Sequence, residues 1–146
     1  MTELVFVDTN VLIYARDASA GPKQSRALEW IAHLWRAQTG RLSFQVLQEY
    51  YVSVTRKLKP GLSQAEARQE VRALLTWRPR GVDEAMIEGA WAVEDRFAFS
   101  FWDSLVVSAA QAAACRYLLT EDLQHGQDLD GLQVLSPFQA EPASLA

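Results

Sequence analysis

Cysteine is all but missing from this 146-residue sequence, and histidine, lysine and long apolar runs are scarce. The single Cys115 cannot close an internal disulfide. It lies among Ala112, Ala113 and Ala114, where a small buried apolar residue is expected rather than a nucleophile. With one cysteine and two histidines, His33 and His125, the chain has no Cys/His cluster of the kind that holds zinc. Neither histidine belongs to an identifiable nucleophile–base pair, so both are read as structural. No apolar run approaches the ~20 residues that a bilayer-spanning helix needs. The chain opens on acidic Glu3 and goes directly into Leu4-Val5-Phe6-Val7-Asp8, unlike a secretory leader. A cytoplasmic protein with no membrane partner is expected.

What is present suits one domain around one core: 49% hydrophobic and 22% charged residues. The net charge of -4 hides an asymmetry. Residues 1–82 carry 12 Lys/Arg against 7 Asp/Glu, whereas residues 83–146 carry 2 against 11. Such a division points to a charged partner only if the two halves form separate faces.

Hydrophobic patterning alternates strands with helices. Leu4–Val7 reads as a buried parallel strand, and Leu42–Phe44, Tyr117–Thr120 and Leu132–Leu135 as further strands. Pro22 and Gly40 bracket a helix whose core stripe is read as Leu28, Ile31, Ala32 and Trp35, leaving Trp30 and Leu34 as surplus apolar surface. Helices are also expected over about Gln45–Lys57, from a Ser63-x-x-Glu66 capping box to Leu75, after Asp83, and from Ser100 to Arg116. The fold class is α/β, a three-layer sandwich around a mostly parallel sheet. The domain spans 1–138, and 139–146 is expected to be a flexible tail.

Ligands of open α/β sheets collect beyond the carboxyl ends of the strands. Two expected strands end near acids there, the first at Asp8 and the third shortly before Asp122. Aspartate also serves turns and caps, so this pattern alone leaves both roles open. Glu49 has Val46 and Val52 three residues to either side, a setting a carboxylate rarely has without a partner. A stem lying on apolar surface with its head in water is the competing account. Asp103, in Ser100-Phe101-Trp102-Asp103, fits the cap of an apolar helix, and spacing alone favours that role.

Four motifs stand in order on these elements. Asp8-Thr9-Asn10 after an apolar strand resembles the opening of the PIN domain. Val46-Leu47-Gln48-Glu49-Tyr50-Tyr51 resembles its second acidic element, Phe101-Trp102-Asp103-Ser104 its third, and Leu119-Thr120-Glu121-Asp122-Leu123 its fourth. The resemblance covers residues 3–138, and within the family it is closest to VapC-type toxins of bacterial toxin–antitoxin pairs. It implies a Mg²⁺ or Mn²⁺ ion held by Asp8, Glu49, Asp103 and Asp122, and metal-dependent endonucleolytic cleavage of RNA. Asn10 would hold Asp8 in its rotamer, and Thr120 would offer a hydroxyl contact. The fourth acid lies between Glu121 and Asp122, with Asp122 preferred.

Arg56, Lys57 and Lys59, together with Arg78 and Arg80, are the expected RNA phosphate contacts. A homodimer that also binds a small antitoxin-like protein is expected, from that resemblance and from the surplus Trp30 and Leu34. Three rivals compete with this reading. A receiver domain needs a lysine at a strand end, and Lys23, Lys57 and Lys59 end none of the expected strands. A haloacid-dehalogenase-like phosphatase needs a second aspartate where Asn10 stands. The third is a PIN-fold RNA- or protein-binding module with little or no turnover.

Overall fold

Strand β1 (Val5–Val7) is three consecutive buried residues, the pattern of a strand covered on both faces. In the computed structural model, which describes residues 3–145, it sits inside a five-stranded sheet of order β2-β1-β3-β5-β4. Strands β2 (Gly40–Arg41) and β3 (Tyr117–Leu119) flank β1 in parallel, with Val5 opposite both Gly40 and Tyr117. β5 (Leu132–Leu135) continues in parallel beside β3. β4 (Asp128–Leu129) pairs antiparallel with β5 through a turn in which Asp130 and Gly131 both have positive φ.

From β1 the chain reaches β2 on one side, by way of α1 (Thr9–Tyr14) and α2 (Pro22–Ala37). It then returns past β1 to β3, through α3 (Phe44–Val52), α4 (Gln64–Leu74), α5 (Glu84–Phe97) and α6 (Phe101–Ala112). Parallel crossovers are right-handed, so α6, which leads into β3, lies on the face opposite α1 and α2. The earlier helices of that connection, α3 and α4, pack beside α1 and α2, with Glu70 of α4 2.6 Å from Arg16 and Tyr50 of α3 in the same groove. The result is the expected α/β/α sandwich. The order reverses between β1 and β3, where such sheets open a crevice at their carboxyl ends.

Side-chain caps set several helix starts. Ser63 and Glu66 form the expected capping box of α4, and Asp83 accepts from the Met86 N–H at the start of α5. Small residues let α5 and α6 approach closely: a Cβ on Gly89 would stand 2.6 Å from the Ser108 hydroxyl, which donates to the Met86 carbonyl at 2.8 Å.

The face of α2 corrects the sequence reading. Ala27, Trp30 and Leu34 are fully buried, whereas Leu28 and Trp35 are exposed and Ile31 lies between them. Two neighbouring stripes fit the helical period, and the contacts of Trp30 explain which one turns inward. Its indole N–H lies 3.1 Å from the Pro137 carbonyl and 3.0 Å from the Ala140 carbonyl, so the largest side chain is buried with its polar atom satisfied. The same contacts hold down the segment expected to be a flexible tail. Arg26 meets Glu141 at 3.2 Å and Pro142 is buried.

The second strand is Gly40–Arg41, not Leu42–Phe44. Ser43 caps α3, accepting from the Val46 N–H at 3.3 Å, and Phe44 opens that helix half exposed. Gly40 is required where it stands, since a Cβ there would come within 2.6 Å of the Trp77 ring.

Candidate active site

Asp8 lies at the carboxyl end of β1 and caps α1. Because Val7 pairs with Leu119, Asp8 and Thr120 emerge side by side from two parallel strands. Asp8 Oδ1 accepts from the Thr9 N–H at 2.7 Å, and Oδ2 accepts from the Thr120 hydroxyl at 2.8 Å and the Asn10 amide at 3.4 Å. Only 7% of Asp8 is exposed. Burial pushes its carboxyl up from 3.8 to about 6; hydrogen bonds from Thr120 and Thr9 oppose the shift, and the charges of Asp122 and Glu49 add to it.

Asn10 joins this carboxylate to a second one. Its amide also donates to Asp122 Oδ2 at 3.0 Å and to the Thr120 hydroxyl at 3.3 Å, and that hydroxyl accepts from the Asp122 N–H at 3.0 Å. The side chain of Glu121, one residue earlier, is held elsewhere. Its oxygens accept from Tyr14 at 2.7 Å and Lys23 at 2.6 Å, and chiefly the Lys23 contact holds its carboxyl below the usual range. Of the two adjacent acids, Asp122 is the one that lines the cleft.

Glu49 reaches the same cleft from α3. Its Oε2 accepts from the Thr9 hydroxyl at 2.9 Å and its Oε1 from the Gln45 amide at 3.0 Å. Val46 is buried but Val52 and Glu49 are exposed, so the carboxylate stands at the mouth and not in an apolar setting. Asp103 stands in the first turn of α6, half-buried, and does not itself line the cleft. The cap of that helix is Ser100, whose hydroxyl accepts from the Asp103 N–H at 3.2 Å. Burial first, and the charge of Asp122 second, push the Asp103 carboxyl up, against a hydrogen bond from Ser100.

The cleft occupies about 600 Å³, and its lining includes Asp8, Asn10, Gln48, Glu49, Lys57 and Asp122. The donors are all oxygens, which suits hard ions such as Mg²⁺ or Mn²⁺. Among the described residues no three acidic, histidine or cysteine side chains converge on one ion as they stand. Mg²⁺ fits such a site nonetheless, because it keeps several waters and binds one or two carboxylates directly.

The basic residues divide. Lys57, in a π-helical turn (Ser53–Lys57) after α3, lines the cleft, with Arg56 and Lys59 exposed close by in sequence. Arg78 and Arg80 do not line it. Arg80 donates at 2.7 Å to the Ala112 carbonyl at the far end of α6, ~13 Å along the helix axis from Asp103. That contact complements the negative helix terminus, away from the cleft. His125 is structural, its Nδ1 accepting from the Ser136 N–H at 3.0 Å.

Sequence reasoning gives no role to Thr9, Gln45, Tyr14 or Lys23. Thr9 is legible as the middle of Asp8-Thr9-Asn10, while the other three depend on distant partners and carry no local signal.

Residues 5–127 match the family model of the PIN domain, and the chain belongs to that family. The structure is similar to a toxin–antitoxin complex from Klebsiella pneumoniae, at 18% identity over 91% of this chain and 97% of that one, with a TM-score of 0.65. FitAB bound to a DNA fragment matches at 16% identity over 94% and 98%, with a TM-score of 0.73. VapC20 of Mycobacterium tuberculosis, a toxin that cleaves the sarcin–ricin loop, matches at 18% over 78% and 86%, with a TM-score of 0.56. At these identities the likeness is one of fold. A comparison with curated proteins found no match.

Proposed function

We propose that this chain is a divalent-metal-dependent endoribonuclease, the toxin of a toxin–antitoxin pair, acting in the cytoplasm. One observation carries the proposal: Asp8, buried where the strand order reverses, is tied through Asn10 and Thr120 to Asp122, with Glu49 bordering the same cleft. Carboxylates that raise one another's affinity for protons also favour a cation. Asp8, Asp122, Glu49 and Asp103 would hold Mg²⁺ or Mn²⁺, with Asp8 and Asp122, joined through Asn10, at its centre. The ion, when bound, activates a water and stabilises charge on the phosphate in an in-line displacement. The chain's own part is positional. Thr9, Asn10 and Thr120 fix the Asp8 carboxylate, and Lys57 offers its ammonium to a backbone phosphate at the rim.

For a small antitoxin-like partner, we assign a different face of α2 from the one first expected. Trp30 and Leu34 are core, so the surplus apolar surface of α2 is Leu28, Ile31 and Trp35. These line a groove of about 260 Å³ against Tyr50, Ala73 and Leu74, a shape suited to the apolar face of an amphipathic segment. The homodimer loses its basis in Trp30 and Leu34, and the exposed aromatics Phe44, Trp91 and Trp102 take their place in the proposal. Light scattering at tens of micromolar decides it, and a monomer removes the dimer.

The function is tested by incubating the purified protein with mixed structured RNAs and Mg²⁺ or Mn²⁺, with and without chelator. Cleavage should require the ion and vanish in Asp8→Asn. RNA binding without cleavage would favour the binding-module alternative, and neither would end the nuclease proposal.

A further inference from the structure

On the outer side of the loop that carries Asp122, side chains from three parts of the chain meet at one carboxylate. Tyr14, the last residue of α1, donates its hydroxyl to Glu121 Oε1 at 2.7 Å, and Lys23, in the first turn of α2, donates to Oε2 at 2.6 Å. The Lys23 ammonium also lies 5.2 Å from the centre of the Tyr14 ring and 4.9 Å from that of Phe138. The two rings meet edge to face at 5.2 Å. Both oxygens of Glu121 are therefore engaged, and the cation is flanked by two aromatic faces.

An exposed Lys–Glu pair contributes little to stability, because two long side chains must be ordered to form it. Here a phenol and two rings restrict that geometry, and the loop has inner anchors as well. The Glu121 N–H donates to Asn10 Oδ1 at 3.4 Å and the Asp122 N–H to the Thr120 hydroxyl at 3.0 Å. Residues 121 and 122 thus send their carboxylates in different directions, one to α1 and α2 and the other to the cleft.

We propose that Tyr14, Lys23 and Glu121 form a clasp that fixes the Thr120–Asp122 loop, presenting Asp122 to the cleft and keeping Glu121 out of it. The three are positioning residues for the metal site, an inference that rests on the nuclease reading above. Without the clasp, the loop is held only from inside, and Glu121 becomes a second carboxylate able to turn inward.

Charge and position make opposite predictions here. Loss of Lys23 leaves an uncompensated carboxylate beside the acids, and by Coulomb attraction alone a cation should bind more tightly. Loss of positioning should weaken binding. Tyr14→Phe separates the two, since it keeps the ring and changes no charge.

The test is a calorimetric titration of Mn²⁺ into the full chain, with hydrogen exchange on the metal-free protein beside it. Tyr14→Phe and Glu121→Gln should each weaken Mn²⁺ binding roughly tenfold, as loss of groups that orient ligands commonly does. Lys23→Gln should weaken it too, and Lys23→Arg should restore most of the loss. In the metal-free protein, Tyr14→Phe should speed exchange at the Glu121 and Asp122 amides and leave Leu119 unchanged. Mn²⁺ affinity equal to or above wild type in Tyr14→Phe overturns the clasp, as does unchanged exchange at Glu121 and Asp122. A wild-type chain that takes up no Mn²⁺ and cleaves no RNA refutes the nuclease reading, and the exchange measurement then decides the loop tether by itself.

Discussion

Replacing Asp8 with asparagine should stabilise the metal-free protein at neutral pH and destabilise it in acid. Burial raises the Asp8 carboxyl from 3.8 to about 6, so the folded chain prefers the protonated form. Between those values the native state binds more proton than the unfolded state. The contribution of this group to stability is therefore greatest at low pH, falls as pH rises through 3.8 to about 6, and is flat above. At pH 7.5 the bare carboxylate costs about 3 kcal/mol relative to its protonated form, because each tenfold gain in proton affinity on folding corresponds to ~1.4 kcal/mol. Asp8→Asn removes that cost but introduces a mismatch. One oxygen can keep the Thr9 N–H, and the new amide nitrogen then faces the Thr120 hydroxyl and the Asn10 amide, both donors to Asp8 in the native protein. Such a mismatch costs ~1–2 kcal/mol.

The net effect is a gain of ~1–2 kcal/mol at pH 7.5, or roughly 3–6 °C in Tm for a domain of this size. At pH 4 the mismatch alone remains, and the variant should be the less stable by ~1–2 kcal/mol. Thermal and urea melts in chelator at pH 4, 5, 6 and 7.5 would show the difference between the proteins changing sign. A variant equally destabilised at pH 4 and 7.5 would refute the claim that burial, opposed only in part by hydrogen bonds, sets the state of Asp8.

Asp103→Asn should weaken Mn²⁺ affinity while barely changing metal-free stability, because Ser100 supplies the cap of α6; wild-type affinity in a titration would remove Asp103 from the ion's surroundings. Gly40→Ala should destabilise by ~1–3 kcal/mol, because its Cβ would stand 2.6 Å from Trp77, a ring already packed 5.0 Å from Trp35; an unchanged urea midpoint would mean that this packing yields freely. Replacing Arg56, Lys57 and Lys59 together with alanine should lower the salt dependence of single-stranded RNA binding by about 2 in the log–log slope. The pair Arg78→Ala and Arg80→Ala should leave that slope alone, and a filter-binding series in salt distinguishes the two sets.

Much of the sheet is legible in the sequence because its central strands are apolar runs, broken only by Gln133. Val5–Val7, Tyr117–Leu119 and Leu132–Leu135 stand out from any surroundings. The edge strands are not, since two residues carry no period. Gly40–Arg41 is a strand because Val5 lies opposite, and Asp128–Leu129 because the chain turns back on Leu132 and Gln133. The inward face of α2 is hidden for a related reason. Its two candidate stripes are equally periodic, and the carbonyls of Pro137 and Ala140, more than a hundred residues away, accept the Trp30 N–H. At the cleft, the positions of Asp8 and Asp122 follow from strand ends. The spacing of Glu49 suggests burial, whereas the structure leaves its carboxylate at the surface. Glu121 and Asp122 are adjacent in sequence and equivalent in chemistry, and only distant partners, Tyr14 and Lys23 on one and Asn10 on the other, tell them apart.

The brevity of the two outer strands limits how another polypeptide can attach. A ligand that extends a sheet by strand addition needs a row of unpaired backbone groups along an edge. β4 offers two residues, and so does β2. Just past β2, the Arg80 N–H donates to the Leu42 carbonyl and its carbonyl accepts from the Phe44 N–H, so a crossing segment already occupies that flank. Neither margin is long enough to template an incoming strand or to zip two copies into a continuous ribbon. Side chains offer the other route, and the groove between α2 and α4 is a surface of that kind.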